Sequence, residues 1–174
     1  LISKNLNVII IDNLISGYKK IINKKAKFFE IDIKNSKKIK EIIIENKIDS
    51  VIHLAASLDV NESQINPKKY YQNNVEGTQY LINACKKTSV KNFIFASTAA
   101  VYKDKIFKVS EKSPLKPKSF YGKTKLKSKI IIKKSFKKIK INYAILRYFN
   151  VVGSSFTKKI GQINKYDLLF KNLS

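Results

Sequence analysis

One cysteine, one histidine, one arginine, no tryptophan and no methionine stand in a chain of 174 residues. The lone Cys85 excludes an intrachain disulfide and a zinc site built on cysteines, and it suits a reducing compartment such as the cytoplasm. A small buried hydrophobe is its expected role. No run approaches the roughly eighteen consecutive apolar residues of a membrane helix, so no membrane partner is expected. Methionine is absent even from the first position, Leu1, so the natural start is expected upstream, and a targeting segment there stays open.

Acidic residues are scarce, 12 against 36 basic ones, for a formal charge of +24. Such a charge ordinarily draws a protein to nucleic acid or to an anionic membrane surface. The pattern argues otherwise, because Arg147 is the only arginine and arginine forks are the usual base readers. The lysines are scattered through predicted helices and loops instead of forming one stripe with interleaved aromatics. Abundant lysine, isoleucine and asparagine read as a bias over the whole chain, and no nucleic-acid partner is expected. Glycine is also sparse, and none of it forms the Gly-rich turn between a first strand and helix by which dinucleotide folds approach a pyrophosphate.

What is present is apolar enough, at 44%, to bury the core of a globular domain. Short Val-, Ile- and Phe-rich runs at Asn7 to Asp12, Lys27 to Asp32, Ser50 to Ala55, Asn92 to Ser97 and Asn142 to Arg147 predict strands buried on both faces. Helical patterns alternate with them: Ser36 to Asn46, with Ile39, Ile42 and Ile43 on one face, then Pro67 to Lys87 and Tyr121 to Lys138. This alternation predicts a parallel α/β sheet. Asn35 or Ser36 is placed to cap the first of these helices, and Pro67 suits a first helical turn. Leu1 to Lys4 reads as the last turn of a helix, with Asn5 in the left-handed position that ends it.

Several residues carry candidate chemistry. Asp12 ends the first strand, where a carboxylate accepts both hydroxyls of an adenosine ribose and repels a 2'-phosphate; an Asp there also simply makes a turn. Tyr121 and Lys125, four apart at a helix start, lie on one face. A tyrosine titrates near pH 10, so action as a base near neutrality needs a shift of about 3 units, a field that Lys125 and a cationic nicotinamide would supply. Thr98 lies just past a strand end, where open α/β sheets bind their ligands. His53, inside an apolar run, reads as a core residue, and no metal site is expected.

Seven segments in order, Val8 to Leu14, Val51 to Ala56, Glu62-Ser63, Tyr70 to Thr78, Val90 to Tyr102, Tyr121 to Leu126 and Leu146 to Gly153, resemble the extended short-chain dehydrogenase/reductases, within them the NAD-dependent epimerases and dehydratases. The resemblance implies a Rossmann-type doubly wound parallel sheet over residues 1–153, without its first strand and Gly-rich loop, and the start of a small substrate domain over 154–174, with a helix over Asp167 to Leu173. It implies NAD as cofactor, C4 epimerisation of a nucleotide sugar such as UDP-glucose through a 4-keto intermediate, and a homodimer through the Pro67 and Tyr121 helices when full length. By the same resemblance Tyr121 is the catalytic base, Lys125 binds the nicotinamide ribose and lowers the phenol's pKa, and Thr98 bonds the reacting hydroxyl. Asp12 and Asn13 fall near adenosine, Asp32 and Ile33 near adenine, and Leu54, Ala55 and Asn73 along the cofactor. Phe149 falls beside the nicotinamide, and Asn150 on the substrate.

Dehydratases of this superfamily carry an Asp-Glu pair directly after the hydroxyl residue, where this chain has Ala99 and Ala100; that favours epimerisation. Lys103, where glycine is common, and Lys129, where an acid is common, depart from the pattern. Another sugar, an oxidoreductase, an inactive remnant and a basic binding module remain open at this point. In a 3-2-1-4-5-6 strand order the absent first strand would lie between the first two strands and the rest, so a break in the sheet and an inactive chain are expected.

Overall fold

The computed structural model describes residues 1–104 and 108–151. The expected helix over Asp167 to Leu173 and the 154–174 region lie outside the described residues. Contacts divide the chain into two compact units, one built on Leu1–Asp32 and the other on Ile33–Phe149.

In the first unit, β1 (Ile9–Asp12) and β2 (Lys27–Glu30) pair in parallel, Ile9 beside Lys27 and Asp12 beside Glu30. The turn entering β1 follows the expected design. A short 3-10 turn, Ile2–Lys4, closes on Asn5, whose φ of 57° places it in the left-handed region that asparagine tolerates.

The second unit carries a three-stranded parallel sheet in the order β3-β4-β5, formed by Ser50–His53, Asn92–Thr98 and Asn142–Tyr148. The expected break is therefore present: among the described residues β1 pairs with β2 alone, and β3 with β4 alone. Helix α1 (Ser36–Glu45) is capped by Asn35, whose side chain accepts the Lys38 amide, and it buries Ile39, Ile42 and Ile43. That face packs on α4 (Gly77–Cys85). Helix α5 (Phe120–Ile139) lies against the sheet, with Phe136 on the Phe93 ring at 4.9 Å.

Two expectations need correction. The strands are not buried on both faces. Phe93 and Phe95 are fully covered, whereas Ile52 and Leu146 on the opposite pleat remain 44% and 40% exposed. An apolar run fixes neither the number of covered faces nor what covers them. The Pro67-to-Lys87 helix is also not uniform: α3 (Pro67–Tyr70) widens into a π-helical turn, Tyr71–Glu76, before α4 begins. The cause is polar: the carbonyl of Asn74 accepts from Thr78 Oγ1 at 2.6 Å and from Ser128 Oγ at 2.8 Å. Side chains competing for a helix carbonyl open the ladder in this way. One short helix, α2 (Val60–Ile65), was not expected. Among the described residues no helix is long and apolar enough to cross a membrane.

Candidate functional site

The carboxyl end of β4 is the centre of the second unit's polar chemistry. Thr98 ends the strand, and its Oγ1 accepts the Ala100 amide at 3.1 Å, which holds the Ala99–Val101 turn in place. Helix α5 starts opposite that turn because Ser119 caps it, its Oγ accepting the Gly122 amide at 3.0 Å. Gly122 permits the approach: a Cβ there would strike the Ala100 carbonyl oxygen and come within 2.9 Å of Pro117. This approach brings Tyr121 near Thr98, close enough for the threonine hydroxyl to influence the phenol. Lys125, one turn further on, is 2% exposed and donates to the Ala96 carbonyl at 2.9 Å, its ammonium 5.0 Å from the centre of the Phe95 ring. Thr98, Tyr121 and Lys125 thus converge at one strand end.

Burial dominates the electrostatics of the site. Burial raises the Tyr121 phenol above its ordinary value, and the nearby Thr98 hydroxyl offsets this only in part. Lys125 is not among the groups that set the phenol's value in this arrangement. The Lys125 ammonium is committed to the Ala96 carbonyl, 5.9 Å from the Tyr121 ring centre, and burial pulls its own pKa down to about 8.

The loop after β3 is fastened to the π-turn. Asn73 Nδ2 donates to Ser57 Oγ at 3.0 Å, while Asn74 accepts the Ser57 amide and donates to its carbonyl. Asn74 also donates to Thr124 Oγ1, whose hydroxyl donates to the Tyr121 carbonyl at 2.7 Å. The loop, the π-turn and the first turns of α5 therefore form one network. Ser57, Asn74, Thr124 and Ser128 were not anticipated, since each acts through a partner remote in sequence. Leu54, 63% exposed, and Phe149, 65% exposed, follow β3 and β5 on either side of β4, with Ala55 beside the first and Asn150 after the second. Ile33 meets Gly77 closely enough that a Cβ there would lie 2.9 Å from its methyl.

In the first unit Asp12 does make a turn: its Oδ1 accepts the Leu14 amide at 2.7 Å. Asn13 Oδ1 accepts the Ile15 amide, and Asn13 Nδ2 donates to Asp32 Oδ2 at 3.0 Å, so the structure brings Asn13 and Asp32 together. A carboxylate has about four acceptor positions, so turn-making leaves Asp12 capacity for a ligand. Elsewhere Arg147 donates from Nη1 to the Tyr102 hydroxyl at 2.7 Å and to the Glu111 carbonyl at 3.0 Å, its guanidinium 5.0 Å from the centre of the Tyr102 ring. Cys85 is buried, with its thiol pushed up to about 12. Among the described residues no three His, Cys, Asp or Glu side chains cluster as metal ligands.

The chain resembles proteins of known chemistry along most of its length. It is 39% identical to the UDP-glucose 4-epimerase of Lactobacillus helveticus over 163 residues, 93% of this chain and 49% of that one. It is 38% identical to the Haemophilus influenzae UDP-glucose 4-epimerase over 172 residues, again 93% of this chain and 51% of the other. Among solved structures, the Brucella ovis UDP-glucose 4-epimerase in complex with NAD superposes with a TM-score of 0.89 at 32% identity, covering 93% of this chain and 50% of that one. The Thermotoga maritima enzyme with UDP-glucose gives 0.83 at 31%, covering 88% and 51%. The chain spans about half the length of the curated relatives it matches. The profile of the NAD dependent epimerase/dehydratase family matches residues 1–166, more than nine-tenths of the sequence. On that match the chain belongs to the NAD dependent epimerase/dehydratase family.

Proposed function

We propose that this chain is the nucleotide-binding part of an NAD-dependent enzyme that inverts C4 of a UDP-hexose, interconverting UDP-glucose and UDP-galactose. The observation that carries the reading is the convergence of Thr98, Tyr121 and Lys125 at the carboxyl end of β4, where open α/β sheets take their ligands. The names of the relatives agree with it.

The residues present fit the cofactor. Exposed, apolar Leu54 and Phe149 flank the end of β4, a setting for a flat ring, and the exposed carboxylate of Asp12 at the end of β1 suits ribose hydroxyls. Asp12 and Asn13 would hold the adenosine ribose, Asp32 and Ile33 the adenine, Leu54, Ala55 and Asn73 the middle of the molecule, and Lys125 and Phe149 the nicotinamide end. Bound NAD supplies reversible hydride chemistry at C4 of the sugar. Tyr121 takes the proton from the C4 hydroxyl and later returns it, with Thr98 holding that oxygen in line and Asn150 contacting the sugar. A phenol that burial raises must be lowered before it acts as a base, so the charge of Lys125 counts most once it turns from Ala96 toward the cofactor ribose.

Ala99 and Ala100 follow Thr98 with methyl groups alone, which disfavours a dehydratase: expelling water needs an acid and a base at those positions. A second sugar class stays in play through a relative of known structure named as a UDP-N-acetylglucosamine 4-epimerase. A homodimer through the α3–α4 rod and α5, and a cytoplasmic setting consistent with the buried Cys85 thiol, complete the reading. The test is NADH-coupled conversion of UDP-galactose by the full-length protein beside its Tyr121→Phe variant. Turnover abolished by that change supports the reading, whereas a folded, inactive wild type overturns it.

A further inference from the structure

The first turn of any helix leaves amide N–H groups without intrahelical partners. In α5 these are the amides of Phe120, Tyr121 and Gly122, and only that of Gly122 is served locally, by Ser119. The other two are served by α2, nearly sixty residues earlier in the chain. Tyr121 N–H donates to Ser63 Oγ at 3.1 Å, and Phe120 N–H donates to Gln64 Oε1 at 3.0 Å. Ser63 is wholly buried, and its own hydroxyl hydrogen is spent on the Val60 carbonyl at 2.6 Å, so the oxygen presents a lone pair to Tyr121. Helix α2 is itself anchored through its first turn. Asp59 accepts the Glu62 amide at 2.8 Å, and Glu62 bonds Lys69 and the buried Tyr70 hydroxyl of α3.

We infer that Ser63 and Gln64 are positioning residues for Tyr121: they fix the rotation and depth of the α5 N-terminus, and through it the reach of the Tyr121 hydroxyl toward Thr98. The inference rests on the C4-epimerase reading for its kinetic consequence but not for its structural one. Both residues reach α5 through its backbone amides. Displacement of a reacting group by about 1 Å is enough to cost on the order of 100-fold in rate, so a clamp on the backbone of the base acts on turnover and leaves substrate binding alone.

The experiment uses the full-length protein with Ser63→Ala, Gln64→Leu and Gln64→Glu. Ser63→Ala and Gln64→Leu are expected to lower kcat about tenfold or more with KM for the UDP-sugar unchanged. Gln64→Glu keeps an acceptor for Phe120 N–H and is expected to retain wild-type kcat. Amide hydrogen exchange, read by NMR, is expected to quicken about tenfold at Phe120 and Tyr121 in the two disrupting variants and to stay unchanged at Ile132. Because Gln64 is exposed, Gln64→Leu decides the matter even where Ser63→Ala fails to fold. An active wild type whose disrupting variants keep its kcat overturns the inference. If the wild type is folded and inactive, the C4-epimerase reading fails, and the exchange data alone decide: local acceleration at 120 and 121 upholds the clamp, and unchanged exchange overturns it.

Discussion

His53 Nε2 lies 2.9 Å from Thr78 Oγ1, and the direction of that hydrogen bond is settled by its neighbour. Thr78 spends its hydroxyl hydrogen on the Asn74 carbonyl, so it accepts from His53, and the imidazole is the neutral Nε2–H tautomer. Its Nδ1 is buried and has no hydrogen-bond partner among the described residues.

A buried neutral histidine makes stability depend on pH with a definite sign. Burial, helped by the charge of Lys125, lowers His53 from 6.5 to about 3. The unfolded chain therefore binds its proton first: stability is whole above pH 6.5 and falls as pH drops toward 3. The loss is on the order of 4 kcal/mol for this group. Urea denaturation of wild type and His53→Gln between pH 3 and 7 is expected to give a steeper decline for wild type. Parallel curves would show that His53 does not carry the effect.

Lys125 illustrates the tension between function and stability. Its ammonium is buried on one carbonyl oxygen with a pKa of about 8, well below the ordinary 10.5. The folded state gives up that proton first, so stability rises as pH climbs from about 8 to 10.5 and is diminished at and below neutrality. Lys125→Met, similar in length and uncharged, is expected to stabilise the fold at pH 7 by about 2–3 kcal/mol while abolishing turnover. A variant less stable than wild type at pH 7 would mean that the Ala96 hydrogen bond outweighs desolvation.

What was legible in the sequence follows from how far apart the cooperating residues stand. Asn5, Asn35 and Pro67 act on residues within one turn, and each occupies the cap or first-turn position expected of it. Tyr121 and Lys125 share a face by spacing alone, and Thr98 was marked by the strand it ends. The π-turn was not legible, because Ser128, which helps hold the Asn74 carbonyl, stands 54 residues away. Helix α2 left a signal that went unused: Asp59 followed by Glu62 is the three-residue spacing of a capped helix start. The number of covered sheet faces was beyond reach, since an apolar strand reads the same whether one face or two are packed.

Gly122 tests how closely α5 must approach the end of β4. No unusual backbone angle requires glycine here; the requirement is space, because a Cβ would collide with backbone at Ala100 and with the Pro117 ring. Gly122→Ala ordinarily gains about 1 kcal/mol of helix propensity. Here overpacking by about 1–3 kcal/mol is expected to win. Thermal unfolding should register net destabilisation, and kcat of the full-length protein should fall because Tyr121 is adjacent. A stabilised variant would show that the turn at Ala100 yields freely.

Three lysines end helices where glycine is favoured. Lys47, Lys87 and Lys140 have φ of 50°, 56° and 55°, following α1, α4 and α5. A side chain in the left-handed region costs roughly 1–2 kcal/mol, and glycine removes that cost while gaining some unfolded-state entropy. Each Lys→Gly change is therefore expected to stabilise by about 0.5–1 kcal/mol; Lys140→Gly should add independently, whereas Lys47 and Lys87 lead into turns joined by Ser89 Oγ on the Ile48 carbonyl at 2.6 Å and are expected to couple. The effect also has a charge component: each change removes one unit from a net +24, so part of the gain should vanish in high salt as self-repulsion is screened. Urea titrations at low and high ionic strength separate the two contributions, the conformational part surviving in salt. A gain that disappears entirely at high salt would assign the whole effect to charge and leave none to the backbone.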